Sequence, residues 1–296
     1  MKTIFLTGKN GQVGFELQRA LAPLGRIAAV DQSDCDLTDE QALRRLVREI
    51  KPDIIVNPAA YTAVDKAESD TDRAFAINAR APEVLAEEAA RHGALVVHYS
   101  TDYVFDGTGQ GCYTEEDQPH PQSVYGRSKL AGDQALLQGG VSCLVFRTSW
   151  VFGAHGGNFA KTMLRLAAER ESLPVVADQF GAPTSAALLA DVTAQIVGQY
   201  LRRDDDAFPC GLYNLAAAGE TTWHEFARTV VAAARQAGRA LKLKPENIRP
   251  IATAEYPLPA ARPANSRLDT TKIRKTFGLH LPDWQDGLSH VLQEIL

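Results

Sequence analysis

Tyr125 and Lys129 stand four residues apart in Tyr125-Gly126-Arg127-Ser128-Lys129, a spacing that places a phenol and an ammonium on one face of a helix. A phenol with an ordinary pKa is a poor acid at neutral pH, and bringing it from about 10 to about 7 takes roughly 4 kcal/mol of preferential stabilisation of the phenolate. A neighbouring cation supplies part of that. Alone, such a pair is common by chance and reads as a solvated helix face. Its company argues otherwise. The apolar run 95–99 ends in Ser100-Thr101-Asp102-Tyr103, which puts hydroxyls at the carboxyl end of a strand, where ligands sit in open parallel sheets. From there Thr101 can hydrogen-bond a substrate oxygen beside Tyr125. The trio Thr101, Tyr125 and Lys129 thus reads as machinery for moving a proton at a carbonyl.

A second constellation lies near the start of the chain. Thr7-Gly8-Lys9-Asn10-Gly11-Gln12-Val13-Gly14 follows an apolar run and leads into a helical stretch. Glycines at such a turn permit a tight bend and leave room for a pyrophosphate, which the free N–H groups of the helix N-terminus attract. A glycine triplet by itself could be a plain turn. Asp31 adds weight, because it closes the second strand where a carboxylate accepts from the adenosine ribose hydroxyls of NADH and repels the 2′-phosphate of NADPH. Lys9 nearby is a cation that would admit NADPH, so the expected cofactor is NADH or NADPH. Asn10, Gln12 and Val13 belong to the loop, and Asp36 and Leu37 are expected near the adenine. Ala60, Tyr61 and Thr62 end the third strand as small or polar cofactor-lining candidates, and Tyr99, Tyr125 and Lys129 complete the cofactor set. A nicotinamide positive charge would help Lys129 to lower the Tyr125 pKa.

These side chains need a scaffold. Runs rich in Val, Ile and Leu at 3–6, 27–30, 54–57, 95–99, 143–147 and 175–177 predict strands, and their unalternated apolarity predicts burial on both faces. Amphipathic stretches at 12–22, 40–49, 82–92, 128–138 and 186–201 predict helices between them. Thr222-x-x-Glu225 is a capping box opening another helix through Arg235. The fold class is α/β, a Rossmann-type doubly wound parallel sheet with a smaller C-terminal substrate-binding lobe. Residues 1–150 are expected to form the dinucleotide-binding domain, also receiving segments near 172–202 and 210–220. Residues 151–296 mainly form the second lobe, where GAPTS, the segment 257–267 and the loop 202–209 break the α/β rhythm.

Composition excludes other classes. A net charge of −5 with 45% hydrophobic and 23% charged residues is that of an ordinary globular protein, with no basic excess for nucleic acid. The start MKTIFLTGKNG has too short an apolar run for a signal peptide or membrane span, so a cytoplasmic protein is expected, monomer or homodimer. Cys35, Cys112, Cys143 and Cys210 are scattered with no C-x-x-C pair and are expected to be free, mostly buried thiols. The seven histidines are dispersed, and His98 and His224 read as structural.

The ordered strings GKNGQVG, DIIVNPAAYTAVDKAE, HYSTDYVFDG, VYGRSKLAG and FRTSWVFG resemble the extended short-chain dehydrogenase/reductase family, and NFAKTMLRLA, DQFGAPTS, TTWHEFA and RPANSRL carry the resemblance across the whole chain. It implies reduction of a dTDP-linked 4-keto-6-deoxy sugar, dTDP-4-dehydro-L-rhamnose to dTDP-L-rhamnose, the last step in making that activated sugar. Tyr125 would protonate the alkoxide, Lys129 would hold the cofactor ribose, and Thr101 would polarise the ketone. Thr101, Asp102 and Trp150 would contact the sugar nucleotide, with Asn158, Arg262 and Asn265 at the thymidine diphosphate. Trp150 otherwise reads as a core aromatic and Arg262 as a surface cation. The resemblance also implies Mg2+ at a dimer contact, held by carboxylates of two helices. Glu16 fits the first position, but Ala187 stands where a Glu is expected, with Asp191 nearby.

Two enzymatic rivals share the fold. A nucleotide-sugar dehydratase needs an acid/base, usually Glu, where Tyr103 stands. An epimerase uses the same Tyr and Lys but regenerates its nicotinamide. A non-catalytic cofactor-binding regulatory subunit is the rival from another class.

Overall fold

The computed structural model describes residues 1–203 and 208–296. Six parallel strands form the central sheet: β1 (Thr3–Leu6), β2 (Arg26–Ala29), β3 (Ile54–Asn57), β4 (Leu95–Thr101), β5 (Cys143–Thr148) and, much later, β10 (Gly211–Asn214). Their order is β10-β5-β4-β3-β1-β2, so the winding reverses between β1 and β3 and opens a crevice at the carboxyl ends there. Both faces are covered. Ile4, Leu6, Ile54 and Val56 join one core with α1 (Gln12–Leu21) and α8 (Ala186–Arg202), while Phe5 and Ile55 join another with α2 (Glu40–Ile50) and α5 (Ala81–His92). Two-sided burial is why Ile4–Leu6 and Ile54–Val56 are apolar without alternation.

The short helices α3 (Val64–Ala67) and α4 (Thr71–Phe75) follow β3 and pack under α6 (Val124–Gln138). A separate core joins α7 (Phe159–Glu169), α9 (Trp223–Gln236) and α11 (Trp284–Ile295) through Phe152, Met163, Phe226 and Trp284. The short strands β6 (Val151–Phe152), β8 (Phe180–Gly181), β9 (Thr184–Ser185) and β11 (Thr221–Thr222) stitch this part together, and α10 (Thr271–Phe277) returns to the first core.

Several sequence expectations need correction. The run at 175–177 is not in the main sheet: β7 (Leu173–Val176) pairs with β12 (Ile248–Ile251) in a two-stranded sheet beside α9. The sixth strand is β10, whose Gly211-Leu-Tyr-Asn lacks the apolar run that marks the others. Strand β2 starts and ends one residue earlier than the apolar run suggests, while β4 and β5 run on to Thr101 and Thr148. Helix α6 starts four residues before 128, because the Ser123 hydroxyl accepts from Gly126 N at 3.1 Å and Glu68 accepts from Val124 N at 2.8 Å. All four cysteines are free, but only Cys35 and Cys143 are buried. The capping Thr222 accepts from Glu225 N at 3.1 Å. Of the loop 202–209, residues 204–207 lie outside the described residues. Among the described residues no helix is long and apolar enough to cross a membrane.

Candidate functional site

The crevice holds a cavity of about 780 Å3. Gly8, at φ +60, turns the chain out of β1, and a Cβ on Gly14 would lie 2.0 Å from the Gly8 carbonyl oxygen, so α1 can start this close only because Gly14 has no side chain. Gly8, Asn10, Gly11, Gln12, Val13 and Gly14 line the cavity from this side. At the end of β2 the Asp31 carboxylate accepts from Asn10 and from the hydroxyl and backbone of Ser33, and the Ser33 bonds hold its pKa low. Lys9 is paired with Asp34 at 2.6 Å. Asp36, Leu37, Ala60 and Thr62 also line the cavity. Tyr61 does not; its hydroxyl donates to Asp70 at 2.9 Å.

At the ends of β4 and β5 the cavity reaches Tyr99, Thr101, Asp102, Tyr125, Lys129 and Trp150. The first turn of α6 presents Tyr125 edge-on to Tyr103, with ring centroids 5.5 Å apart. Burial pushes the Tyr125 phenol up, opposed in part by a hydrogen bond with Thr101. This differs from the lowered pKa expected from Lys129, because desolvation dominates and the nearby Asp102 and Asp133 carboxyls add to it. Lys129 Nζ donates to the Tyr99 carbonyl at 2.6 Å and lies 3.2 Å from His98 Nε2. Burial brings its pKa down to about 8, opposed by Asp133. Thr101 Oγ1 donates to Asp102 at 3.1 Å and accepts from Tyr103 N at 3.2 Å. Burial lifts the Asp102 carboxyl to about 6.

Trp150 adopts a left-handed backbone at φ +50, a strained region for a bulky residue. Its ring stacks on Trp223 at 3.7 Å, and a Cβ on Gly181 would lie 2.7 Å from it. Trp223 and Tyr103 border both this cavity and a second one of about 630 Å3, whose walls include Phe159, Met163, Gln179, Tyr256 and Arg262. Trp223 belongs to no spaced motif in the sequence. A large aromatic opening a helix just after a capping threonine was its one visible signal.

Arg262 bonds Asp65 at 2.7 Å through Nη2, while Nη1 is buried without a hydrogen-bond partner among the described residues. Asn158 and Asn265 border neither cavity. Asn158 caps α7, its Oδ1 accepting from Lys161 N at 3.1 Å and its Nδ2 donating to Gln12 at 2.9 Å. Asn265 donates to the carbonyls of Gly109 and Gly111 at 2.7 Å each, tying the loop after β4 to the C-terminal segment. Glu16 does not present a metal site. Arg19 lies between the two carboxylates, 3.4 Å from Glu16 and 3.0 Å from Asp191, so a guanidinium already bridges the pair. With Ala187 at the remaining position, the residues present do not fit Mg2+.

A family model described as RmlD substrate binding domain matches residues 1–296. The chain is 52% identical to the dTDP-4-dehydrorhamnose reductase of Escherichia coli K12, over 99% of this chain and 97% of that protein. It is similar to the crystal structure of a dTDP-4-dehydrorhamnose reductase from Clostridium acetobutylicum at TM-score 0.89 and 35% identity, each chain covered to 98%. A third is the dTDP-4-dehydrorhamnose reductase from Bacillus anthracis in complex with NADP, at TM-score 0.88 and 36% identity, each chain covered to 99%.

Proposed function

Because the chain belongs to the RmlD substrate binding domain family over its whole length, we propose that it is a cytoplasmic NAD(P)H-dependent reductase converting dTDP-4-dehydro-L-rhamnose to dTDP-L-rhamnose. The observation that carries this reading is the meeting of Thr101, Tyr125 and Lys129 with the glycine loop in one cavity, joined at Tyr103 and Trp223 to a second cavity roomy enough for the nucleotide.

The bound nicotinamide supplies hydride to carbon 4 of the sugar. The protein residues handle the oxygen. Thr101, its hydroxyl turned from Asp102, donates to the ketone and stabilises charge as it develops. Tyr125 is kept protonated by burial, which suits a group that must give a proton to the forming alkoxide. The phenolate left behind is stabilised by the Lys129 ammonium, which also orients the cofactor ribose. Asp31 recognises the adenosine ribose, and Arg262 offers its unpartnered Nη1 to the diphosphate.

The test is absorbance of the reduced nicotinamide, with the 4-keto sugar generated in place from dTDP-glucose by the preceding dehydratase and epimerase. Loss of signal only when both upstream enzymes are present is expected. Cofactor binding with no loss would overturn the reductase reading. Sugar isomerisation with no net NAD(P)H consumed would replace it with an epimerase.

A further inference from the structure

One rung of the central sheet is polar where its neighbours are not. Strands β1, β3 and β4 run Ile-Phe-Leu, Ile-Ile-Val and Leu-Val-Val in register, and the next position on each is Thr7, Asn57 and His98. All three are buried, His98 completely. They bond along the rung: Thr7 Oγ1 lies 2.6 Å from Asn57 Oδ1, Asn57 Nδ2 lies 3.1 Å from His98 Nδ1, and His98 Nε2 lies 3.2 Å from Lys129 Nζ. Three valines would fill this space without the cost of desolvating polar groups. The rung begins at the residue before Gly8 and ends on the lysine that faces the cavity.

The chemistry of the donors fixes how the rung must work. An ammonium only donates, so His98 Nε2 accepts from Lys129 and the imidazole proton sits on Nδ1. That proton needs an acceptor, so the Asn57 carbonyl oxygen faces His98 and its NH2 donates to Thr7; the two ends of an amide have the same shape, and the hydrogen-bond network decides between them. Burial and the Lys129 charge keep the imidazole neutral, the state this arrangement requires. We propose that His98 is a positioning residue for Lys129, holding the ammonium as an acceptor of fixed tautomer, with Asn57 and Thr7 setting that tautomer from the start of the glycine loop. The role of Lys129 itself rests on the proposed function. Around Lys129 the other ionisable groups are Tyr125 and Asp133 on α6, Arg147 on β5 paired with Asp133 at 3.4 Å, and Asp102 after β4, while Glu68, which follows α3, accepts from the first N–H of α6.

The experiment compares His98→Gln, which keeps an acceptor within reach of Lys129, with His98→Leu, which removes it. Two quantities are followed against pH: kcat/KM for the sugar, and the dissociation constant of NADPH from its fluorescence, which needs no turnover. The wild type is expected to lose both above about pH 8, as Lys129 discharges. His98→Leu should move that limb down by about one pH unit and lower kcat about 30-fold, while His98→Gln stays within about threefold of the wild type. Equal damage from both variants would mean a packing role only, and an unmoved limb in folded His98→Leu would overturn the proposal. If His98→Leu does not fold, Asn57→Leu, which frees the tautomer, must shift the limb in the same direction or the proposal falls. A wild type that binds NADPH but reduces nothing would sink the reductase reading, and the NADPH limb would still decide the case of His98.

Discussion

Two clusters of buried charge lie on neighbouring helices, α5 and α6, and they are built differently. Between α2 and α5 the fully buried Glu88 is gripped by Arg48 at 2.7 Å and Arg44 at 3.1 Å, with Arg44 reaching on to Glu87 at 2.6 Å. Its hydrogen bonds from Arg48 overcome burial and hold the Glu88 pKa down to about 2. Under the cavity the balance is reversed. Burial dominates, lifting Asp102 to about 6 and lowering Lys129 to about 8, and Asp102 Oδ2, Asp133 Oδ1 and Arg147 Nη1 are buried without hydrogen-bond partners among the described residues. A cluster whose bonds are complete can only stabilise. One with donors and acceptors left over, held near neutrality beside a cavity, can exchange protons with what binds there.

The contrast breaks most visibly at Tyr125. Tyr125→Phe removes the proton donor and nothing that contacts the glycine loop. Sugar-dependent NAD(P)H oxidation should fall by about a thousandfold, while NADPH affinity changes by less than about threefold. Stopped-flow turnover and fluorescence titration read the two effects, and near-normal turnover would remove Tyr125 from its assigned role.

Glu88→Gln should do the opposite, lowering stability and sparing catalysis. It takes the anion from Arg48, which is half exposed, and from Arg44, which keeps Glu87, and should cost about 1 to 2 kcal/mol in urea unfolding at pH 7, with kcat unchanged at 25 °C. The sign with pH follows from the depressed pKa: the stabilisation is complete above the ordinary glutamate pKa near 4.5 and disappears as pH falls through about 2. The deficit of the variant should therefore shrink on acidification, and a deficit constant down to pH 2 would show that the carboxylate charge is not what stabilises.

The two regions also differ in how well the sequence announces them. The glycine loop, Asp31 and the Tyr125/Lys129 pair are local patterns, each within one strand–turn–helix unit, and the structure sets them around one cavity. The second cavity draws Phe159, Gln179, Trp223 and the pair Tyr256 and Arg262 from four separated segments, with no spacing to link them. Asn158 and Asn265 were visible as polar residues in irregular stretches, but there they cap a helix and tie a loop. Strand β10 was obscured because its register beside β5, and not its own apolarity, makes it a strand. The polar rung of Thr7, Asn57 and His98 is spread over nearly a hundred residues and appears only when three strands are aligned.

Asp31 offers the smallest test, because its charge belongs to neither buried cluster. It is partly exposed at the cavity rim, its pKa lowered by Ser33, so it is ionised at any working pH. An exposed charge is screened by water and salt, and its discrimination between cofactors should be modest. Asp31→Ala should weaken NADH about fivefold through loss of the ribose acceptor and strengthen NADPH about twofold through loss of repulsion, a change of roughly tenfold in preference. Lys9, held by Asp34, limits the gain for the phosphate. Raising the salt concentration should shrink the NADPH part and leave the NADH part in place, since a lost hydrogen bond is not screened as a lost repulsion is. A preference that does not move would mean that Asp31 serves only to fix Asn10 and the turn at Ser33, and the comparison would then rest on the buried clusters alone.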